Sequence, residues 1–339
     1  DLAAMAASGW LPAGDGLATP IDALWLVLSP LVLITTPLGG SLGAVASAIV
    51  ITGIVLAAVV AFWASGRIVH SAPLRALAAL VWGFAPPLLA AVSIGHVAGI
   101  VWHVLAPALV ACALDTWRTP SVRALGRTAL LLAIMSAAAP ATTLLILPLL
   151  VVTLYRRAWR WLWIPVPALA LLAPTVISAV RDEAWWKLLL ASPGHPLDAP
   201  VTALDILTFS PATAASEASS GVAPTFVALG ELTILLPIIA SLLLVIPAVA
   251  LLARTGRRGW VLGGWTIVGL GIVWAVGCAL TDVAVVSQVP ALVVTTAWPG
   301  MALSLAILGL WLAFLGGGES VYDSFGLPGW RRIAAGLAG

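Results

Sequence analysis

Long apolar windows run through almost the whole chain, and they constrain its fold more than any other feature. Nearly all of them lack Asp, Glu, Lys and Arg, and their lengths approach or exceed the roughly 17 residues that a membrane-spanning helix needs. The chain is 62% hydrophobic and only 8% charged, whereas soluble domains carry about 25% charged residues. About nine windows are found: Leu42–Ser65, Ala76–Val92, Gly99–Leu114, Ala124–Ala138, Ala141–Tyr155, Trp161–Val180, Leu232–Ala253, Trp260–Thr281 and Trp298–Gly316.

These windows predict an all-α fold, a polytopic integral membrane bundle of about nine to ten transmembrane helices. Each window is continuously apolar and shows no alternation of polar and apolar residues, which excludes a transmembrane β-barrel. Glycine-rich runs such as "LGGWTIVGLGIVWAVG" suit close helix packing. Tryptophans flank the windows, and those such as Trp260 and Trp298 are expected at headgroup depth.

The basic residues predict the orientation of the bundle. With the chain crossing the membrane back and forth through these windows, all but two of the 15 Lys and Arg residues fall on the same side of the membrane. The positive-inside rule predicts that this side is cytoplasmic. The N-terminus would then lie outside and the C-terminus inside. The two exceptions are Arg181 and Lys187. The clusters on the basic side are Arg67/Arg75, Arg118/Arg123/Arg127, Arg156/Arg157/Arg160, Arg254/Arg257/Arg258 and Arg331/Arg332.

The windows and charges divide the chain into five segments. Within the first segment, Ala23–Gly39 is apolar enough to enter the bilayer, either as a re-entrant or interfacial segment or as a tenth span. The segments are an outer or re-entrant N-terminal part (1–41), a first transmembrane bundle of about six helices (42–180), an extracytoplasmic segment with an interfacial helix and a flexible loop (181–231), a second transmembrane group of about three helices (232–316) and a cytoplasmic tail (317–339).

The stretch "RDEAWWKLLLASPGHPL" concentrates charge and aromatic surface in the predicted outer segment. Its acidic start suits the first turn of a helix, and Glu183 and Lys187 are spaced to pair on one helix face. One interpretation is an interfacial helix that caps the bundle. The other is a mouth for a lipid-linked or sugar substrate, since carboxylates, cations and indole rings can bind hydroxyls, phosphate and sugar faces. The candidate binding residues are Arg181, Asp182, Glu183, Trp185, Trp186 and Lys187.

His96 and His103 are the candidate polar residues in and beside the apolar windows: His103 lies within Gly99–Leu114, and His96 lies just before it, at the predicted outer end of the helix. They lie seven residues apart, which places them two helical turns apart on one face. An ionisable group within a span is a functional-site hypothesis by default, so a ligand or proton-relay role is one reading. The other reading is a neutral imidazole that is satisfied by a backbone carbonyl. Two histidines are too few for a metal site, and the sequence predicts neither a metal nor a cofactor.

Several motifs occur in an order that resembles a known family. They are "PLRALAALVWGFAPPLLAAVSIGHVAGIVWHVLAPALV", "SAAAPATTLLILPLL", "AWWKLLLASPGHPL" and "AWPGMALSLAILGL". Together they resemble the multi-pass membrane region of large actinobacterial family 2 glycosyltransferases, over roughly Pro20 to Trp330. The alternating spans and outer loop are also somewhat similar to C-type glycosyltransferases. The chain departs from the family pattern at Ser192 and at Gly95–His96, where the family often has an acid and Gly-Arg.

The resemblance implies a membrane-embedded glycosyltransferase, or its membrane domain, that acts on polyprenyl-phosphate sugars in cell-envelope glycan synthesis. It implies a multi-pass protein of the plasma membrane, with a soluble glycosyltransferase domain or other membrane subunits as partners and no nucleic acid. It assigns no catalytic residue, because the family's soluble catalytic domain is not in this sequence. The C-type likeness places a catalytic acid in the first outer loop, where Asp1, Asp15 and Asp22 are the candidates. The alternative is a non-catalytic scaffold or translocation subunit of an envelope complex.

Overall fold

The computed structural model describes residues 23–38, 40–181, 183, 186, 190, 203–209, 257–288 and 291–325. Short 3-10 turns at Thr36–Leu38, Pro140–Leu145 and Trp159–Trp163 connect some of the longer elements. The longer elements are α1 (Ala23–Thr35), α2 (Leu42–Ser65), α3 (Ala72–Gly83), α4 (Pro86–Ser93), α5 (Val97–Arg118), α6 (Val122–Ala138), α7 (Ile146–Arg156), α8 (Val166–Arg181), α9 (Ala203–Leu207), α10 (Arg258–Leu280), β1 (Asp282–Gln288), β2 (Ala291–Thr296) and α11 (Gly300–Phe325).

Six helical segments in this described part are long and apolar enough to cross a membrane. They confirm the predicted all-α polytopic membrane bundle. The predicted window Leu232–Ala253 lies outside the described residues. The six segments are Leu42–Ser65, Ala72–Ser93, Val97–Arg118, Trp159–Arg181, Arg258–Leu280 and Gly300–Glu319.

Two predicted windows form shorter helices than these six. Helix α6 has 17 residues and carries Arg123 and Arg127 near its start, and α7 has only 11. Pro140 follows the end of α6, and because proline has no N–H it prevents a continuous helix there. Helix α1 has 13 residues and therefore rises about 20 Å, less than the ~30 Å hydrocarbon core. Such a length suits the re-entrant or interfacial alternative for Ala23–Gly39.

Helix α11 forms the centre of the bundle. In its spanning segment 94% of the window is buried, against 22% for α2, whose outer face is left for lipid. Two indole N–H groups near this centre bond inside the protein. Trp311 Nε1 donates to the carbonyl oxygen of Ala78 (3.1 Å), and Trp102 Nε1 donates to Thr142 Oγ1 (2.9 Å). These bonds satisfy polar groups that the bilayer could not.

Glycines bring α10 and α11 into backbone contact. A Cβ atom added to Gly264 would lie 2.5 Å from the carbonyl oxygen of Gly309, and one added to Gly271 would lie 2.5 Å from Ala306 N. Gly264 and Gly271 are seven residues apart, and so are Gly309 and Gly316, so each pair repeats along one helix face. Small residues on such a face let membrane helices approach closely. Gly264 and Gly271 of the glycine-rich run therefore serve helix packing, as predicted, whereas a Cβ atom added to Gly263 or Gly269 of the same run would not meet α11.

A two-stranded antiparallel ribbon connects α10 to α11. Strands β1 and β2 pair from Gln288 opposite Ala291 to Asp282 opposite Thr296, with an irregularity between Asp282 and Ala284. The sequence analysis had assigned no element to most of this interval. The ribbon lies at the end of the bundle opposite to the basic residues, because α10 begins at Arg258 and ends at the ribbon.

Candidate functional site

The predicted outer segment is described only in part. Arg181 ends α8 and is exposed, and Trp186 is 38% exposed. The structure places Leu190 against the far end of α10, where Cys278 Sγ donates to its carbonyl oxygen at 3.9 Å. Asp182, Trp185 and Lys187 lie outside the described residues. The predicted substrate mouth of this segment therefore stays a prediction.

Glu183 corrects one detail of that prediction. Its φ angle is +54°, in the left-handed region that a right-handed helix does not contain. Its N–H donates to the carbonyl oxygen of Val180 at 3.3 Å, which forms a turn directly after α8. Glu183 is therefore a turn residue and does not belong to the first turn of a helix, as the acidic start had suggested.

His96 is a buried helix cap at the end of the bundle opposite to the basic residues. Its Nδ1 accepts a hydrogen bond from Gly99 N (2.9 Å) at the start of α5. Its ring stacks on Trp298 with 4.2 Å between centroids, and a Cβ atom on Gly99 would lie 2.5 Å from that indole. Burial lowers the pKa of His96 from 6.5 to about 4. His96 is therefore neutral near pH 7 and serves the start of α5.

His103 bonds to the backbone at the break between two helices. Helix α3 ends at Gly83, and the carbonyl oxygen of Trp82 accepts from Ala85 N (3.2 Å) just before Pro86. His103 Nε2 lies 3.1 Å from that oxygen, and its Nδ1 lies 2.9 Å from Ser304 Oγ. Since a carbonyl only accepts, Nε2 donates to it, and in the neutral imidazole Nδ1 accepts from Ser304. The ring also stacks on Trp82 with 4.1 Å between centroids.

This geometry supports the structural reading of the two histidines. Their partners Trp298 and Ser304 lie just before α11 and within it, so both histidines face the α11 side of the bundle. Both ring nitrogens of His103 are used by protein partners. The sequence did not reveal these partners, because Ser304 is 201 residues away.

At the basic end, charged side chains from three helices hold the backbone after α2. Arg118 of α5 donates to the carbonyl oxygen of Arg67 (3.0 Å), and Arg257 at the start of α10 donates to that of Ile68 (2.7 Å). Glu319 of α11 accepts from His70 N (2.8 Å). The loop from Arg67 to His70 is thereby fixed against three separate helices.

Two open cavities flank the ion pair of Arg67 and Asp115. Arg67 Nη1 donates to both carboxylate oxygens of Asp115, at 2.9 and 2.7 Å. The larger cavity, of about 480 Å³, contains this pair in its wall together with Gly66, Ile68, His70, Arg118, Arg257 and Trp260. The smaller, of about 210 Å³, contains the same pair together with Cys112, Thr119, Ser121, Arg123, Ala124 and Arg127. We refer to the two together as the basic cavity.

The basic cavity carries an excess of positive charge. Five arginines line it, and the carboxylates at hand are Asp115 in its wall and Glu319 behind Arg257. Within the described residues, Arg123 and Arg127 are exposed and form neither a hydrogen bond nor an ion pair. The N-terminal ends of α6 and α10 also point their partial positive charge toward the cavity. Such an arrangement favours an anion, and guanidinium groups match phosphate oxygens in particular.

In the sequence these arginines indicated the orientation of the bundle and were not predicted to form a site. The clusters are 40 or more residues apart along the chain, and only the fold brings Arg67, Asp115 and Arg257 to one place. The sequence did contain one signal of the site. Asp115 is an isolated acidic residue beside a basic cluster, which suggests an ion-pair partner. Its partner, 48 residues away, was not deducible from spacing.

Comparison with protein-family models, curated proteins and solved structures finds no significant match for this chain.

Proposed function

We propose that this chain is a membrane-embedded glycosyltransferase, or the membrane domain of one, that acts on polyprenyl-phosphate-linked sugars in cell-envelope glycan synthesis. The observation that carries the proposal is the basic cavity, which opens at one end of a membrane bundle and contains five arginines. The order of the sequence motifs, which resembles family 2 glycosyltransferases, supports the same class.

The chemistry of the basic cavity suits a phosphate or diphosphate group at the membrane surface. Basic pockets between membrane helices on the cytoplasmic side are typical sites for anionic lipid head groups. The larger part, at about 480 Å³, falls within the usual size of a small-molecule site. Arg123 and Arg127 retain free donors for a ligand, whereas Arg67, Arg118 and Arg257 fix the walls.

The position of the basic cavity also suits a division of labour with a soluble domain. The positive-inside rule predicts that the basic end faces the cytoplasm. A nucleotide-sugar domain of the kind that the resemblance implies would work on that side. The outer segment with Arg181 and Trp186 would then be a second place to hold the lipid-linked product, and this remains a separate hypothesis.

A binding experiment with two sets of variants tests the proposal. The purified full chain in phosphatidylcholine nanodiscs is titrated with polyprenyl phosphate, and the dissociation constant is measured by native mass spectrometry. The double variant Arg123→Gln/Arg127→Gln should bind about 30-fold more weakly, since each arginine near a phosphate contributes about 1 kcal/mol. Arg258→Gln is the matched control, because Arg258 is exposed at the same end but does not line the cavity.

The same titration also tests the hypothesis that the outer segment binds the lipid. Arg181→Ala or Trp186→Ala should weaken binding only if the outer segment holds the lipid. Unchanged binding by the Arg123→Gln/Arg127→Gln variant would contradict the assignment of the basic cavity. A wild-type chain that binds no polyprenyl phosphate would contradict the proposed function.

The second candidate function is a scaffold or translocation subunit without catalysis. The observation that favours it is the closely packed centre, in which α11 is almost wholly buried and glycines hold it against α10. A rigid centre of this kind suits a support for other subunits. Absence of lipid binding in the titration above would favour this candidate.

A further inference from the structure

An apolar groove adjoins the basic cavity and leads into the membrane. It has a volume of about 310 Å³ and follows the first turns of α10, with Leu312 of α11 on its other side. Trp260 lines both the groove and the larger part of the basic cavity. The two spaces are therefore neighbours that share one indole side chain. The residues of the groove are Gly259, Trp260, Gly263, Gly264, Ile267 and Leu312.

Missing side chains create this groove. Among the described residues, a Cβ atom added to Gly259 or Gly263 would meet nothing within 4 Å, so both positions face open space in this part of the structure. Gly259, Gly263 and Ile267 follow one another at intervals of four, which places them on one helix face. This face begins at the basic end and runs into the bilayer. Gly264 differs from its neighbour, because it serves the backbone contact with Gly309.

Close packing fixes Trp260 at the junction of the two spaces. A Cβ atom added to Gly316 of α11 would lie 2.7 Å from Trp260 Cβ. The start of the Trp260 side chain is thus held against the backbone of α11. The junction between basic cavity and groove is a built feature of the α10–α11 contact.

We infer that the basic cavity and the groove form one site for a phosphate-headed lipid. The phosphate lies among the arginines, and the first part of the hydrocarbon chain lies along Gly259 and Gly263, past Trp260. The identity of the lipid as a polyprenyl phosphate rests on the proposed function. The path of the hydrocarbon chain rests on the groove and on its continuity with the basic cavity.

Charge selects the occupant of the groove. Lipid tails and apolar side chains are equally apolar, so within a bilayer the groove has no hydrophobic preference for one chain over another. A chain whose head is bound in the adjoining cavity is held at the groove entrance, and its local concentration there is high. The groove therefore adds affinity for a lipid with an anionic head and none for a free anion.

Two glycines of α10 provide a matched test. Gly263→Leu fills the groove, whereas Gly269→Leu is the control, because Gly269 is also open on the surface of α10 but does not line the groove. The full chain in phosphatidylcholine nanodiscs is titrated with polyprenyl phosphate, phosphatidic acid and inorganic pyrophosphate. Gly263→Leu should weaken binding of both lipids about five- to tenfold and leave pyrophosphate binding unchanged. Gly269→Leu should bind all three probes as the wild type does.

The three probes separate this inference from the proposed function. Wild-type binding of both lipids by Gly263→Leu would overturn the inference, whatever the chain catalyses. Equal weakening by Gly269→Leu would also overturn it, because the loss would then not come from the groove. Gly263→Leu could weaken lipid binding while the wild type binds polyprenyl phosphate no more tightly than phosphatidic acid. This result would support the path of the hydrocarbon chain along the groove and count against the proposed function.

Discussion

The two ends of the bundle use their polar side chains in different ways. Toward the end that holds His96, the two histidines are buried and are bonded to protein partners. At the basic end, arginines line open cavities, and Arg123 and Arg127 keep free donors within the described residues. Burial thus gives the histidines a structural role, whereas Arg123 and Arg127 have no hydrogen bond or ion pair within the described residues that would give them one. Substitutions of the histidines should therefore change stability, and substitutions of Arg123 and Arg127 should change binding.

The largest expected effect on stability is that of His103→Leu. The substitution keeps a similar volume but leaves the carbonyl of Trp82 and the hydroxyl of Ser304 without this partner. The Ser304 hydroxyl would lose its bond to the imidazole, and an unsatisfied buried polar group costs about 1–3 kcal/mol. The Trp82 carbonyl would keep only its bond from Ala85 N, so we expect a total loss of about 3 kcal/mol. Reversible unfolding of the purified chain in detergent measures it. A loss below 0.5 kcal/mol (roughly the size of a surface substitution) would contradict the structural role.

Ser304 allows a sharper form of this prediction. Ser304→Ala removes the hydroxyl that lies 2.9 Å from His103 Nδ1. His103→Leu should therefore cost about 1 kcal/mol less in the Ser304→Ala background, which is the net value of one hydrogen bond. The coupling is read from a double-mutant cycle. Strict additivity would mean that His103 does not act through that hydroxyl.

The second effect is a dependence of stability on pH through His96. Its pKa is about 4 in the folded chain against 6.5 when unfolded, so below pH 6.5 the unfolded state takes up the proton first. The contribution of neutral His96 is therefore fully present above pH 6.5 and is lost as the pH falls toward 4. It amounts to no more than about 3 kcal/mol.

His96→Asn is the control for this pH dependence. Asparagine is a good helix cap but does not titrate in this range. The difference in unfolding free energy between wild type and His96→Asn should change between pH 7 and pH 4.5. A constant difference would mean that His96 is not held neutral by burial.

Much of the fold was predictable from the sequence, because membrane spans are long and charge marks their ends. The all-α bundle was predicted correctly, and so was the packing role of Gly264 and Gly271, but not the open positions of Gly263 and Gly269 in the same run. The ribbon between α10 and α11 was missed, although two Val- and Thr-rich runs on either side of Val289–Pro290 are typical of a hairpin. These runs are apolar enough to resemble parts of a span, which concealed their pairing.

The candidate site was less predictable because its residues meet only through tertiary contacts. Trp298 was expected at headgroup depth, but it is only 5% exposed and covers His96 and Gly99. The contact depends on Gly99 having no side chain, which spacing alone does not reveal. The arginine clusters were visible in the sequence, but the positive-inside rule already accounted for them as markers of orientation. Only the cavity around Arg67 and Asp115 indicates that arginines at this end also bind a ligand.

The most direct test of this difference compares stability and binding in one variant. Arg123→Gln/Arg127→Gln should have the smallest effect on unfolding, within about 0.5 kcal/mol of the wild type, because exposed side chains contribute little. The same variant should lose most of its affinity for polyprenyl phosphate in nanodiscs, and raising the salt concentration should weaken the wild type toward it. Wild-type affinity in this variant, or a loss of affinity that follows a loss of stability, would contradict the basic cavity as the binding site.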